Sequence, residues 1–145
     1  MKLINLALGV SLALGSAAAA HQGVQNPAVM ARMNSMSAIA DSVKVIGTMA
    51  RGTLEFDADA ARMAAIEIAA QAARTPALFE DREDDPTSEA RAVIWTDFED
   101  FVEKSNALEA LALDISQTIS EPSDLAPALS RLADNCKACH GDYRE

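Results

Sequence analysis

Two cysteines and a histidine near the C-terminus have the types and the spacing that can attach a porphyrin to a polypeptide. Cys136 and Cys139 stand three positions apart, and His140 follows directly. A spacing of three places both sulfurs on one side of a helical turn, where they can add to the two vinyl groups of a porphyrin as thioethers. His140 is then placed to bind iron as a neutral imidazole. These residues match the C-x-x-C-H motif and predict one covalently attached haem c, with its iron, per chain.

The residues available in the chain argue against three other uses of this cysteine pair. A thioredoxin-like redox site is expected near a βαβ pattern, and none is visible. A structural zinc site needs four ligands, and no further cysteine or histidine stands near the motif. A simple disulfide would leave His140 without a role. Haem attachment is therefore the interpretation that uses all three residues.

The N-terminus has the pattern of a secretory signal peptide. Lys2 gives a positive start, residues 3–14 are mostly apolar, and residues 17–20 are small alanines that suit a signal peptidase. We predict a signal peptide over residues 1–20 and a single mature haem domain over residues 21–145. The alternative is an uncleaved anchor helix, for which the apolar run is short. Because c-type haem is attached outside the cytoplasm, the motif and the signal peptide together predict a bacterial periplasmic protein.

Charge and composition narrow the possible partners. The whole chain has a formal net charge of −10, and removal of Lys2 with the signal peptide makes the mature chain more acidic. An acidic surface argues against nucleic acid and anionic membranes and favours redox partner proteins with basic docking surfaces. With four Phe, one Tyr and one Trp, the chain has few aromatic side chains, and a haem would supply apolar bulk for the core.

Helix signals divide the first half of the mature chain into two helices. Asn26 can cap a helix, and Pro27 fits its first position. Apolar residues at spacings of three and four then continue to a predicted end near Gly52. Asp57 is expected to cap a second helix, and Pro76 is expected to stop it.

The second half of the chain carries the signals of two further helices. Residues 96–99, Thr-Asp-Phe-Glu, have the capping-box pattern and are predicted to open the third helix at Thr96. After a break at residues 121–122, Ser123 or Asp124 is expected to cap the fourth helix, and Pro127 is tolerable in its first turn.

The pattern as a whole predicts an all-α protein. No segment shows the period-two alternation of a half-buried strand. Residues 78–88 are polar and acidic, and we expect a solvated connection there. Four helices with short connections predict an antiparallel up-down-up-down four-helix bundle.

The position of the haem motif on the last helix resembles the arrangement of the cytochrome c′ family. Four segments besides the motif carry the resemblance. These are Val-Ile-Gly-Thr-Met-Ala-Arg-Gly at residues 45–52, Phe-Asp at 56–57, Ile-Trp-Thr-Asp at 94–97 and Tyr-Arg at 143–144, where Tyr143 stands in place of the family's Phe. The resemblance covers the mature chain and implies the four-helix bundle with one haem near the C-terminal end.

The resemblance also implies which residues surround the iron. The family's distal position, counted back from residues 45–52, falls on Met36, and the family's arginine one turn earlier falls on Arg32. A methionine there resembles the low-spin cytochrome c-556 type, which has six-coordinate iron bound by His140 and Met36. Methionine is also a common core filler, and Met33 is the competing ligand one turn away. Arg32 is a candidate haem-propionate contact, and Arg144 is a candidate haem-pocket residue near the proximal imidazole.

Three functions stay open from the sequence. The first is a carrier of single electrons with low-spin His140–Met36 iron. The second is a five-coordinate cytochrome c′ that binds NO or CO, and the third is a haem-bearing module that serves one oxidoreductase. We expect no enzyme of the hydrolytic or nucleophilic classes, because the only other histidine, His21, is terminal. The family resemblance makes a homodimer possible.

Overall fold

Four long α-helices dominate the computed structural model, which describes residues 23–145. The helices are α1 (Pro27–Ala50), α2 (Ala58–Leu78), α3 (Phe98–Thr118) and α4 (Leu125–Tyr143). Short 3-10 helices at Ala92–Trp95 and Pro122–Asp124 lead into α3 and α4. Within the described part of the chain the only β-type pairing is an isolated bridge, so the predicted all-α class is confirmed.

Contacts between helix ends show the antiparallel arrangement. Arg62 at the start of α2 donates from Nε to the carbonyl of Ile119 after the end of α3, at 2.8 Å. Lys104 near the start of α3 lies 3.4 Å from the Asp142 carboxylate near the end of α4. Each helix also packs on the next one along the chain, and α4 packs on α1. The predicted up-down-up-down four-helix bundle is therefore confirmed.

The predicted starts of the first two helices are correct because a short polar side chain caps each one. Asn26 Oδ1 accepts hydrogen bonds from two amides in the first turn of α1, at 2.8 and 3.2 Å. Asp57 Oδ1 does the same for α2, at 2.9 and 3.0 Å. The first helix ends at Ala50, and Gly52 then takes the left-handed φ of 68° that favours glycine.

The predicted stop at Pro76 is wrong, because α2 continues through it to Leu78. Pro76 has no N–H, so the carbonyl of Ala72 lacks its helical donor. The hydroxyl of Ser105 on α3 donates to that carbonyl at 2.8 Å and replaces the missing bond. A partner on the neighbouring helix thus makes a proline tolerable in the last turn.

The predicted capping box at residues 96–99 is also wrong. The helix begins at Phe98, after Asp97, and Asp97 makes no side-chain cap. The Thr96 hydroxyl instead donates to the carbonyl of Val93, within the preceding 3-10 helix. Of the two caps considered for α4, Asp124 holds the position, although its carboxylate accepts from the amides of the preceding turn rather than from the helix.

The connection between α2 and α3 is exposed over most of its acidic residues, as predicted, with Asp85 as the exception. Asp85 is only 6% exposed. Its carboxylate accepts hydrogen bonds from the amides of Gln25 and Asn26 at 2.8 and 3.0 Å and from Thr87. A carboxylate can be buried where several donors satisfy it. The sequence pattern could not distinguish this acid from its exposed neighbours.

The core divides into an aliphatic part and an aromatic part. Small and branched side chains such as Ala61, Ile68 and Ile115 fill the larger cluster along the bundle. The second cluster lies at the end of the bundle that carries the cysteines and is built from Phe79, Ile94, Phe101, Tyr143 and the aromatic rings around them. The few aromatic residues of the chain are therefore concentrated at the haem-motif end.

Among residues 23–145, no helix is long and apolar enough to span a membrane. The predicted signal peptide over residues 1–20 and the predicted new N-terminus at His21 lie outside the described residues, and both stay predictions.

Candidate haem site

A cavity of about 710 Å³ opens between α1, α3, α4 and the connection that precedes α3. Its lining includes all six residues that the sequence singled out, namely Arg32, Met36, Cys136, Cys139, His140 and Arg144. Apolar residues such as Val29, Val43 and Leu108 form much of the remaining wall. The helical bundle thus brings residues separated by a hundred positions in sequence to one space.

Cys136 and Cys139 lie in the last three turns of α4, with half-buried side chains that face this cavity. No disulfide joins them. Burial raises the pKa of both thiols, so both are protonated and weakly nucleophilic at neutral pH. Cys139 also packs against the aromatic cluster, so this cluster borders the cavity next to Cys139.

His140 follows on the same helix and lines the same cavity. Burial lowers the pKa of the imidazole, and the positive charge of Arg144 adds to the shift. His140 is therefore neutral at neutral pH, which is the form that binds iron. Arg144 itself is held by Glu89, whose carboxylate accepts from Arg144 Nε at 2.6 Å.

A second helix, α1, contributes two methionines to the cavity lining. Met33 and Met36 are both half-buried, and both line the cavity that His140 lines from α4. The structure therefore brings the predicted distal ligand, Met36, into the site together with its competitor. Assignment of the sixth ligand to Met36 stays a prediction that rests on the register of the family resemblance.

Arg32 has partners that the sequence did not indicate. The side chain is 4% exposed, and its guanidinium donates to the carbonyls of Leu78, Asp81 and Glu83 at 2.7–2.8 Å. It also lies over the ring of Phe79, 4.5 Å from the ring centre. Arg32 thus ties α1 to the α2–α3 connection. A haem-propionate contact remains a prediction for this residue, which does line the cavity.

The donor set and the space fit a covalently attached haem. The cavity lies within the range of about 300–1,000 Å³ that is common for cofactor sites, and its lining is mainly apolar. Cys136 and Cys139 would hold the porphyrin, and His140 would bind the iron from the same helix. Within residues 23–145, no group of three or more histidine, cysteine and acidic side chains is arranged to hold a bare metal ion.

Comparison with known proteins identifies the family. The family model described as Cytochrome C' matches residues 27–144, which is the whole bundle. This chain belongs to the cytochrome c′ family. Members of the family bind one haem c covalently per chain, and residues 136–140 of this chain have the C-x-x-C-H pattern that is predicted to attach it.

Individual relatives agree with the family assignment. The chain is 32% identical over 119 residues to a cytochrome c' from Pararhodospirillum photometricum, which covers 79% of this chain and 93% of the relative. It is 29% identical over 115 residues to a cytochrome c-556 from Agrobacterium tumefaciens (strain apple 185), which covers 79% and 91%. Among solved structures, cytochrome c' from Rhodopseudomonas palustris superposes with a TM-score of 0.76 at 27% identity, over 83% of this chain and 98% of that one. Relatives of both names are similar at nearly the same identity, so identity does not distinguish the two coordination types.

Sequence reasoning missed several residues around this cytochrome c′ site. Lys104 lines the cavity and lies 3.3 Å from the Asp100 carboxylate, which also accepts from the Tyr143 hydroxyl at 2.5 Å. Burial is the main cause that raises the pKa of Tyr143, and the hydrogen bond to Asp100 raises it further. The hydrogen bond from Tyr143, together with Lys104, lowers the pKa of Asp100. Tyr143 could have been suspected, because it departs from the family's Phe. No sequence pattern pointed to Glu89, because its hydrogen bond with Arg144 depends on the path of the α2–α3 connection.

Proposed function

We propose that this member of the cytochrome c′ family carries single electrons on a low-spin haem with His140 and Met36 as axial ligands. The observation that supports the proposal best is the placement of these two side chains, which line one cavity from different helices. His140 and Met36 would hold a bound haem iron from two helices, and two such ligands would leave it no open position for a substrate.

The residues of this chain suit electron transfer in three ways. His140 is a neutral base, so no proton has to leave before it binds iron. A methionine sulfur is a soft ligand that favours reduced iron and can stay bound in both redox states. The largely apolar cavity wall would leave little water around a bound haem, which would keep the reorganisation that accompanies a redox step small. A haem bound here would supply reversible one-electron iron chemistry.

The proposed location is the periplasm, after removal of residues 1–20. The acidic composition favours redox partners with basic docking surfaces, through electrostatic steering. A homodimer is compatible with the family, and we propose no enzymatic reaction for the chain.

A redox titration combined with CO binding tests the proposed function. We expect a reversible one-electron couple and slow CO binding to the reduced protein, because Met36 must leave before CO can bind. Fast, saturating CO binding without any loss of an endogenous ligand would refute the electron-carrier proposal.

The alternative is a five-coordinate haem that binds NO or CO. The specific observation in its favour is the apolar distal wall, where Val29, Ile39 and Val43 surround the methionines. Small uncharged gases partition into such a space, and in this case Met36 would be a packing residue. The same CO experiment distinguishes the two functions.

A further inference from the structure

The α2–α3 connection passes along the edge of the haem cavity and contacts both of its walls. Residues 81–91 form this segment, which we refer to as the strap. Ser88, Glu89 and Ala90 of the strap line the cavity. Direct packing between α1 and α4 is sparse compared with the packing between α2 and α3. The strap is therefore a major physical link between the helix with the methionines and the helix with His140.

The first half of the strap holds the start of α1. The Asp85 carboxylate accepts from the backbone amides of Gln25 and Asn26, at 2.8 and 3.0 Å. Asn26 Nδ2 donates to Glu83 Oε2 at 2.8 Å. Nearly two turns further along, Arg32 donates to the Glu83 carbonyl at 2.8 Å. Together these bonds fix the first two turns of α1 against the strap.

The second half of the strap holds the end of α4. The amide of Arg91 donates to the carbonyl of Tyr143 at 3.0 Å, and the amide of Glu145 donates to the carbonyl of Glu89 at 2.9 Å. Arg144 Nε donates to the Glu89 carboxylate at 2.6 Å. These bonds form a short antiparallel bridge directly after the turn that carries His140.

Asp85 makes the strap rigid between its two attachments. Its second carboxylate oxygen accepts from the amide and the hydroxyl of Thr87, at 2.9 and 2.6 Å. Its carbonyl accepts from the amide of Ser88 at 2.8 Å. One buried side chain therefore joins the start of α1 to the turn that leads to Glu89. Asp85 itself is not part of the cavity lining.

We propose that the strap sets the separation of α1 and α4 across the haem, and that Asp85 is the positioning residue that keeps Met36 within bonding distance of the iron. The identity of the distal ligand in this statement rests on the proposed function. Release of the strap would allow the start of α1 to move outward. The iron would then lose its distal ligand for a larger fraction of the time and would bind external ligands faster.

The test compares Asp85→Asn with Asp81→Asn in the holoprotein. An asparagine at position 85 keeps the size of the side chain but replaces one acceptor oxygen with an NH₂ group. That group cannot accept the hydrogen bonds that either the amides of residues 25–26 or Thr87 donate to Asp85. Asp81→Asn makes the same acid-to-amide change on an exposed side chain of the strap. Hydrogen exchange over residues 25–32 reports release of the strap, and CO association with the reduced protein reports access to the iron, at a temperature where every variant is folded.

We expect Asp85→Asn to accelerate exchange over residues 25–32, to increase the high-spin fraction of the oxidised protein, and to raise the CO association rate about tenfold or more. Asp81→Asn should match the wild type in all three measurements. Faster exchange in Asp85→Asn together with a CO rate and a spin state within about twofold of the wild type would overturn the proposal. Asp85 would then only stabilise the fold.

A milder variant covers the case in which Asp85→Asn does not fold. Thr87→Val removes one donor to Asp85 at almost constant shape and should change the CO rate in the same direction by a smaller factor. The spectrum of the wild type tests the ligand set separately. If the wild type is high-spin, the His140–Met36 assignment fails, and with it the statement that Asp85 keeps Met36 at the iron. Hydrogen exchange over residues 25–32 then still shows whether the strap holds the start of α1.

Discussion

At the scale of single residues, two methionines on α1 face the cavity, and one of them is expected to bind iron. We predict that Met36→Ala converts the oxidised protein to a high-spin spectrum, lowers its reduction potential and opens the iron to CO and NO, because the sixth ligand is lost. Met33→Ala is the matched control, since it removes the same side chain from the same wall. It should keep the low-spin spectrum.

This pair of variants distinguishes a wrong choice of methionine from the absence of any methionine ligand. If Met33→Ala abolishes the low-spin signal and Met36→Ala does not, the register is displaced by one turn and electron transfer remains the function. If neither variant changes the spectrum, both methionines are packing residues.

Residue types and spacing were sufficient to predict Cys136, Cys139 and His140 as the haem site, because thioether attachment has strict local geometry, and the structure places all three at one cavity. The partners of Arg32 could not be read in the same way. Its carbonyl acceptors lie 46–51 positions away in the chain, and only the path of the connection brings them close. Long-range polar contacts of this kind carry no periodic signal.

At the scale of helices, the continuation of α2 through Pro76 depends on a bond from α3. We predict that Ser105→Ala lowers the free energy of unfolding by about 1–3 kcal/mol, because the buried carbonyl of Ala72 loses its only replacement donor. Ser116→Ala is the control on the same helix, since its hydroxyl bonds an exposed carbonyl of its own helix. Urea unfolding of both holoproteins measures the difference, and equal stabilities would contradict the prediction.

The strap gives the fold a predictable response to acid. Hydrogen bonds from Thr87 first, and then from Asn26 and Gln25, hold the pKa of Asp85 well below its ordinary value. The ionised carboxylate therefore stabilises the fold above the unfolded pKa of about 3.9, and this contribution is lost as the pH falls through the lower folded pKa.

We therefore predict that the wild type loses stability progressively as the pH falls from about 5 to below 3, and that Asp85→Asn is less stable at neutral pH and loses less on acidification. Urea unfolding across this range measures both slopes. An unchanged slope in Asp85→Asn would show that other carboxylates carry the acid response.

The existence of the four helices and most of their ends were predictable from the sequence. The predicted helix stop at Pro76 and the predicted helix cap at Thr96 were wrong, and both errors have a physical reason. Asn26 and Asp57 accept hydrogen bonds from amides two and three residues later, so the local sequence pattern is enough to predict these two helix starts. Tolerance of Pro76 depends on Ser105 from another helix, and Thr96 is drawn into the preceding 3-10 helix. Tertiary partners override local signals at these positions.

At the scale of the whole molecule, the haem is expected to complete the core. The aliphatic cluster is rich in alanine, and the aromatic cluster borders the cavity. We predict that Cys136→Ala combined with Cys139→Ala gives a protein that is poorly folded or degraded, because the largest apolar group of the core is no longer held. Circular dichroism and thermal unfolding measure this. Native helicity with a cooperative melt close to that of the wild type would count against it.

The overall architecture followed from the sequence because four amphipathic segments with short connections have few ways to pack. The role of the strap could not be predicted, because nothing in the sequence of an acidic, proline-containing segment indicates that one of its acids, Asp85, is buried. The cavity residues proposed to bind the haem could be named from the sequence, but the hydrogen bonds by which the strap joins α1 to α4 required the structure.

The central claim is that a methionine of α1, assigned to Met36, is the second ligand of the iron beside His140, and one spectrum tests methionine ligation most directly. The measurement is electron paramagnetic resonance of the oxidised wild-type protein at neutral pH. We predict a low-spin ferric signal, accompanied in absorption by the methionine–iron charge-transfer band near the red end of the visible range. A predominantly high-spin signal without that band would contradict the account and favour the gas-binding function.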